Sequence, residues 1–224
     1  MRSFLRQNGL TLFFLAILLL ALAGQSVAGL AEFNAQQTAA GLEQLSYARY
    51  LTSSDFSTDV AENWQSEFLQ FTLYILATVY LVQQGSSESK EPGKAGLESD
   101  AEQRVAEFSN DDSPAWARVR GWRLGIYSRS LTLVMATIFA ASWLAQSIAG
   151  RAAYNAQQLS QLQDPVSWFD YVTSADFWSR TLQNWQSEFL AVASMAVFAV
   201  YLRQRGSPES KPVGTSHRST GTEE

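Results

Sequence analysis

The chain has 224 residues, a net charge of −5 and no cysteine. Without cysteine it cannot form disulfides or thiolate metal sites, and its one histidine, His217, leaves little for histidine-based catalysis or zinc binding. An acidic chain without a basic, aromatic-rich stripe also lacks a surface suited to nucleic acid. We therefore expect no metal or other cofactor and no nucleic-acid partner.

The first apolar block, Leu10 to Val27, is long enough to cross a bilayer. As a helix its 18 residues extend about 27 Å, close to the thickness of a hydrocarbon core. Arg2 and Arg6 before it and Ser26-Val27-Ala28 at its end also fit a cleavable signal peptide. A matching block recurs inside the chain at Leu131–Ile148, where no signal peptide belongs, so we predict that both blocks are retained as transmembrane helices.

A second, less uniform apolar block follows each of these helices. Phe68–Val82, extended back to Trp64, is the predicted second span, and Trp185–Leu202 is the predicted fourth. Ser53 and Ser174 are the predicted N-caps of the helices that contain these spans. We expect each helix to run without a break from its cap into its span.

The segment between the second and third spans divides by composition. Residues 85–114 are polar and acidic, which predicts disorder. Residues 115–129 combine Trp116, Trp122 and Tyr127 with four arginines, a composition typical of a segment at the membrane interface. The tail, residues 206–224, is polar again and is predicted to be disordered.

Several short sequence motifs, which we call words, recur at a constant spacing of 121 residues. They are Gln-Ser-x-Ala-Gly at 25 and 146, Asn-Ala-Gln-Gln at 34 and 155, Asn-Trp-Gln-Ser-Glu at 63 and 184, and Gly-Ser-x-Glu-Ser-Lys at 85 and 206. Between residues 10–90 and 131–211, 35 of the 81 aligned positions are identical without a gap. Agreement over such a length predicts an internal duplication.

The predicted fold is therefore all-α: an integral membrane protein with four transmembrane helices arranged as two parallel two-helix repeats. We divide it into a first two-span repeat (1–84), an acidic cytoplasmic linker with an interfacial segment (85–126), a second two-span repeat (127–205) and a disordered cytoplasmic tail (206–224). The two hairpin loops hold few basic residues, namely Arg49, Arg151 and Arg180. Because basic residues concentrate elsewhere, both termini and the linker are predicted to face the cytoplasm and both loops the outside.

The Asn-Trp-Gln-Ser-Glu words contain the candidate functional residues. In each word an asparagine and a glutamate lie one helical turn apart on a shared face. These residues are Asn63 with Glu67, and Asn184 with Glu188. Two carboxylates meeting across a pseudo-twofold axis would hold a proton or a cation, because like charges in a low dielectric resist joint ionisation. The more ordinary interpretation is an outer-interface belt in which Trp64 and Trp185 anchor the helices at head-group depth and the glutamates reach water. A lateral contact with a partner protein is a third interpretation.

Two glutamines lie near the outer ends of the first and third spans. Gln25 and Gln146 are candidates either for hydrogen bonds between helices or for the lining of a polar cavity. In the second interpretation they belong to the same ion or proton site as the carboxylates.

With these repeated words in place, the chain resembles a bacterial family of small, multi-pass membrane proteins classed as a domain of unknown function. The resemblance covers nearly the whole chain except the acidic linker and the tail. It implies a location in the bacterial plasma (inner) membrane. It implies no activity and assigns no catalytic or binding residue.

No nucleophile, base and orienting group combine into a catalytic pattern, so we expect no enzyme. The expected role is that of a non-catalytic structural or accessory membrane component. Its expected partners are the lipid bilayer and either a second membrane protein or further copies of the chain. The alternative is a small transporter or channel that uses Glu67 and Glu188 as a proton or cation site.

Overall fold

In the computed structural model, which describes residues 2–221 and their side chains from residue 4 onward, every regular element is helical. The helices are α1 (Arg2–Gln7), α2 (Gly9–Ala39), α3 (Tyr47–Leu51), α4 (Ser54–Tyr80), α5 (Trp122–Tyr127), α6 (Ser130–Ser160), α7 (Trp168–Val172) and α8 (Ala175–Tyr201). A 3-10 turn at Ala106–Phe108 lies between α4 and α5. No strand occurs within residues 2–221, which confirms the predicted all-α class.

Three helices recur at the spacing of the repeated words. Helices α2 and α6 both have 31 residues, α3 and α7 both have 5, and α4 and α8 both have 27. Each helix of the second set begins 121 residues after its counterpart, for example at 130 against 9. The repeated words therefore occupy equivalent positions on helices of equal length.

The predicted N-caps of α4 and α8 are confirmed. The hydroxyl of Ser53 accepts a hydrogen bond from the Phe56 N–H at 3.2 Å, and that of Ser174 accepts one from the Phe177 N–H at 3.2 Å. Each bond satisfies one of the free N–H groups at the start of a helix. Both helices then continue without a break through their Asn-Trp-Gln-Ser-Glu words, as the sequence predicts.

Two helices in the described part of the chain, α2 and α6, are long and apolar enough to cross a membrane. Of the most apolar 18-residue window, only 6% is buried in α2 and 17% in α6. Helices α4 and α8 are almost as long, but they do not reach the same hydropathy. Their apolar halves begin only after the polar words, so any window of span length takes in polar residues.

The chain forms two compact units. Unit 1 comprises the residues up to Ala61 together with Ala145–Val172, and unit 2 comprises Glu62–Leu144 together with the residues from Thr173 onward. The repeat boundaries predicted from sequence describe a different division of the chain, and they stay a prediction.

In unit 1 a glycine of each Gln-Ser-x-Ala-Gly word lies against a buried tyrosine. The Tyr50 and Tyr171 side chains are almost fully buried. A Cβ atom at Gly29 would collide with the Tyr50 hydroxyl, and one at Gly150 would collide with the Tyr171 hydroxyl. Only glycine leaves room for the tyrosine, which ties α3 to α2 and α7 to α6.

An asparagine in each half of unit 1 fastens the loop that follows its helix. Asn34 donates to the Leu45 carbonyl at 3.0 Å and accepts from the Leu45 N–H at 2.7 Å. Asn155 makes the same pair of bonds to Val166, at 3.1 and 2.8 Å. A side-chain amide that bonds both backbone groups of one residue fixes the return of the loop toward the helix.

The Gly-Ser-x-Glu-Ser-Lys words belong to unit 2, where they adopt the same turn twice. Gly85 and Gly206 have φ values of 87° and 85°, a left-handed conformation that favours glycine. The Ser89 hydroxyl accepts from the Gln83 N–H at 2.8 Å, and the Ser210 hydroxyl accepts from the Gln204 N–H at 2.9 Å.

These two turns contact each other and the tail. The Ser87 hydroxyl donates to the Glu209 carbonyl at 3.1 Å, and the Lys211 ammonium donates to the Gly85 carbonyl at 2.5 Å. The Gly85 N–H in turn donates to the Thr220 hydroxyl at 2.9 Å. The composition of the tail predicts disorder, whereas the structure shows residues of the tail in ordered contacts with the first turn.

Candidate functional site

Gln65, the central residue of the first Asn-Trp-Gln-Ser-Glu word, joins α4 to α8 within unit 2. Its side chain is fully buried, and its Oε1 accepts a hydrogen bond from the Trp185 indole N–H at 2.8 Å. Its Nε2 has no partner among the described residues. The equivalent Gln186 is exposed, so the two words are not used symmetrically.

An ion pair lies three residues before Gln65. The Arg180 guanidinium donates to the Glu62 carboxylate at 2.5 Å, and Glu62 is only 8% exposed. At the equivalent positions of the repeat stand Asp59 and Gln183, which cannot form an ion pair with each other. The ion pair therefore has no counterpart between the aligned positions of the two helices.

Trp143 on α6 is surrounded by aromatic side chains of α8. Its ring centroid lies 6.2 Å from that of Phe177, 6.0 Å from that of Trp178 and 5.9 Å from that of Trp185. These are distances at which aromatic pairs stabilise one another. Trp185 is thus part of the packing of unit 2, whereas Trp64 is 43% exposed. The predicted anchoring of both tryptophans at head-group depth stays a prediction.

The two predicted carboxylates lie near each other. Glu188 is half-buried, and the Ser66 hydroxyl and the Glu67 carboxylate are both close enough to affect its charge. The Ser66 hydroxyl itself donates to the Asn63 carbonyl at 2.9 Å. Glu67 itself is exposed. The arrangement can hold one proton or attract one cation, because it concentrates two negative charges beside a single hydroxyl.

The other predicted site residues are distributed over both units. Asn184 donates from its side chain to the Arg180 carbonyl at 3.0 Å, and Asn63 is exposed. Gln146 is fully buried and Gln25 half-buried, and both belong to unit 1. The predicted site that combines these glutamines with the carboxylates stays a prediction.

Sequence reasoning missed the part that four residues play in joining α4, α6 and α8 within unit 2. They are Glu62, Gln65, Trp143 and Arg180. One signal was available for the ion pair: just before the repeated Asn-Trp-Gln-Ser-Glu words, Asp59 aligns with the oppositely charged Arg180, and Glu62 aligns with the neutral Gln183. Within residues 2–221, no group of three or more His, Cys, Asp or Glu side chains is placed to hold a metal ion.

Comparison with known proteins assigns the chain to a family. A family model described as a domain of unknown function, DUF6766, matches residues 1–222. No curated protein and no solved structure matches the chain. Because the match extends over nearly every residue, the chain belongs to the DUF6766 family.

Proposed function

We propose that this chain is a multi-pass protein of the bacterial plasma membrane and acts there as a non-catalytic structural or accessory component. The main support for this proposal is the exposed apolar surface of α2. Phe13 and Phe14 are each 60% exposed and Leu20 is 74% exposed. A core helix of a soluble protein buries such side chains, whereas lipid covers them without the cost of exposing them to water.

Four spans form the proposed architecture, as two parallel repeats. Helix α6 is the internal counterpart of α2, and α4 and α8 are the second and fourth spans. A 27-residue helix extends about 40 Å, which leaves its polar first turns outside a core of about 30 Å. The equal lengths of α2–α4 and α6–α8 support the duplication, and the distribution of basic residues supports cytoplasmic termini.

Single-cysteine labelling tests this topology on a clean background, because the chain has no cysteine. Glu43→Cys and Asp164→Cys place matched, exposed thiols in the two proposed outer loops, and Asp111→Cys places one in the proposed cytoplasmic linker. A membrane-impermeant maleimide added to intact spheroplasts should label the first two variants only. Labelling of Asp111→Cys before lysis would contradict the proposed orientation.

The structural role is supported by what the repeated words do. These words make contacts within the protein. Gly29 packs against Tyr50, Asn34 bonds the backbone of the loop at Leu45, and Gln65 accepts a hydrogen bond from Trp185. Such contacts shape a scaffold and leave the outer loops and lipid-facing helices free for a partner.

A small transporter or channel is the second candidate, favoured by one observation. Glu67 and Glu188, one from each repeated word, are close enough to interact electrostatically, and Ser66 lies near Glu188. In this alternative the pair is the proton or cation site.

Crosslinking in the native membrane, followed by purification in mild detergent and mass spectrometry, separates the two roles. A stoichiometric partner supports the accessory role. Recovery of the chain alone, with proton or cation flux in liposomes that disappears in Glu67→Gln/Glu188→Gln, would overturn it in favour of transport. Asp111→Asn is the control, since it removes a carboxylate far along the chain from both words.

A further inference from the structure

Residues 115–129, which we name the arginine–tryptophan segment, lie in a part of the chain whose charged residues are all basic. No acidic residue occurs between Asp112 and Asp164. The segment contains four arginines, of which Arg120 is paired with Glu107. The other three are exposed, and none has an acidic partner among the described residues; they are Arg118, Arg123 and Arg129.

Large, exposed hydrophobic side chains lie beside these arginines in the chain. Trp122 is 67% exposed, and Trp116, Ile126 and Tyr127 are each at least 40% exposed. The rings of Trp116 and Trp122 meet edge to face at 6.1 Å, and the Arg123 guanidinium lies 5.5 Å from the centroid of the Trp122 ring. Aromatic side chains of this kind settle at the head-group level of a bilayer, and arginine stacked on them keeps its charge in contact with phosphate.

The segment leads directly into an apolar helix. Helix α5 ends at Tyr127 and α6 begins at Ser130, so the exposed rings and guanidinium groups lie at the N-terminal end of a helix able to span a membrane. This step rests on the proposed membrane-spanning role of α6. A helix end at the interface places its flanking side chains among lipid head groups.

We propose that the arginine–tryptophan segment binds anionic phospholipid head groups of the leaflet that it faces. Three guanidinium groups without an acidic partner attract lipids that carry net negative charge over zwitterionic ones, whose phosphate is already neutralised. The tryptophans determine how deeply the segment lies in the head-group region, and the arginines determine its preference for anionic lipid. The paired Arg120 contributes to the shape of the segment rather than to this preference.

Fluorescence quenching by labelled lipid measures the preference directly. Ser128→Cys, on an exposed residue of a cysteine-free chain, carries an environment-sensitive fluorophore, and the full chain is placed in nanodiscs of phosphatidylcholine and phosphatidylglycerol. Either lipid carries a nitroxide near the head of one acyl chain. We expect labelled phosphatidylglycerol to quench at least about twofold more than labelled phosphatidylcholine, with the difference shrinking at high salt.

Charge variants decide whether the segment is responsible. In Arg118→Gln/Arg123→Gln/Arg129→Gln the quenching ratio should fall to about one. The control Lys94→Gln/Arg205→Gln removes exposed basic residues elsewhere and should keep the ratio. Equal quenching by the two lipids in the unmodified chain, or equal losses in both variants, would overturn the proposal. A chain that does not enter nanodiscs at all would instead overturn the proposed membrane-spanning architecture.

Discussion

At the scale of single residues, Gly29 and Gly150 show how a repeated word works. Each lies on a long helix beneath the hydroxyl of a buried tyrosine, Tyr50 or Tyr171. Any side chain at these glycines would displace the tyrosine and with it the short helix that carries the ring. The glycines are therefore packing residues of unit 1, where small residues allow close approach.

Replacing Gly29 by alanine should lower the free energy of unfolding by about 1–3 kcal/mol, because a methyl group overpacks the contact with Tyr50. Thermal unfolding in detergent measures the change. Gly24→Ala is the matched control on the same helix, since nothing lies within 4 Å of a Cβ atom at that position. Removal of the hydroxyl in Gly29→Ala/Tyr50→Phe should restore part of the loss; equal Tm values for Gly24→Ala and Gly29→Ala would contradict the collision.

At the scale of elements, α4 and α8 have equal lengths but use different residues to meet. Gln65 of α4 is buried against Trp185 of α8, while Gln186 of α8 is exposed. The Glu62–Arg180 ion pair adds a contact that the equivalent positions lack. The two helices therefore make different contacts although their lengths and their Asn-Trp-Gln-Ser-Glu words agree.

Arg180→Gln should destabilise the chain by about 1–3 kcal/mol, because it leaves the buried Glu62 carboxylate without its cation. Glu62→Gln/Arg180→Gln should cost less than Arg180→Gln alone, since two neutral side chains can hydrogen-bond in place of the ion pair. Chemical denaturation in detergent supplies the double-mutant cycle. Arg49→Gln, an exposed arginine of the other hairpin loop, is the control; a coupling free energy of zero would show that the pair contributes nothing.

The tail is held to the first Gly-Ser-x-Glu-Ser-Lys turn by one buried ammonium group. Lys211 is 1% exposed and donates to the carbonyls of Gly85, Ser216, His217 and Ser219. Burial, with a smaller contribution from Arg203, lowers the pKa of Lys211. Lys211→Met should therefore release residues 212–221.

Hydrogen–deuterium exchange checks the release of the tail. In Lys211→Met, exchange should rise both in residues 83–90 and in 212–221, because carbonyl groups of both segments accept hydrogen bonds from the ammonium that is lost. Lys90→Met is the control, since Lys90 bonds Gly96 and Glu98 of the linker instead. Unchanged exchange in the tail of Lys211→Met would show that the ammonium does not hold it.

At the scale of the whole chain, the two halves meet where their Gly-Ser-x-Glu-Ser-Lys turns touch. Glu88 lies beside Glu209 of the other turn, and the Tyr74 hydroxyl donates to the Glu88 carboxylate at 3.3 Å. Burial and then the charge of Glu209 raise the pKa of Glu88 above its ordinary 4.5. We therefore expect the contact between the two turns to depend on the protonation of Glu88.

The contact between the two Gly-Ser-x-Glu-Ser-Lys turns should be more stable at acid pH. A carboxyl group whose pKa is raised by folding stabilises the folded state fully below its unfolded value of 4.5, and this stabilisation is lost as the pH rises through the raised pKa. Thermal unfolding followed from pH 4 upward, on about a one-unit grid, measures the loss. Glu88→Gln should remove this dependence and Glu91→Gln should keep it; the same pH profile in both variants would contradict the assignment to Glu88.

The sequence by itself determined the helical class, the N-caps at Ser53 and Ser174 and the uninterrupted course of α4 and α8. These features depend on hydrophobic patterning and on hydrogen bonds between residues close in the chain, and both can be recognised directly in the sequence. The tertiary structure alone decided that Gln65 and Glu62 are buried and that Lys211 reaches back to Gly85. Such contacts depend on the rotation of each helix about its axis and on the return path of the tail, and neither is encoded in any local pattern.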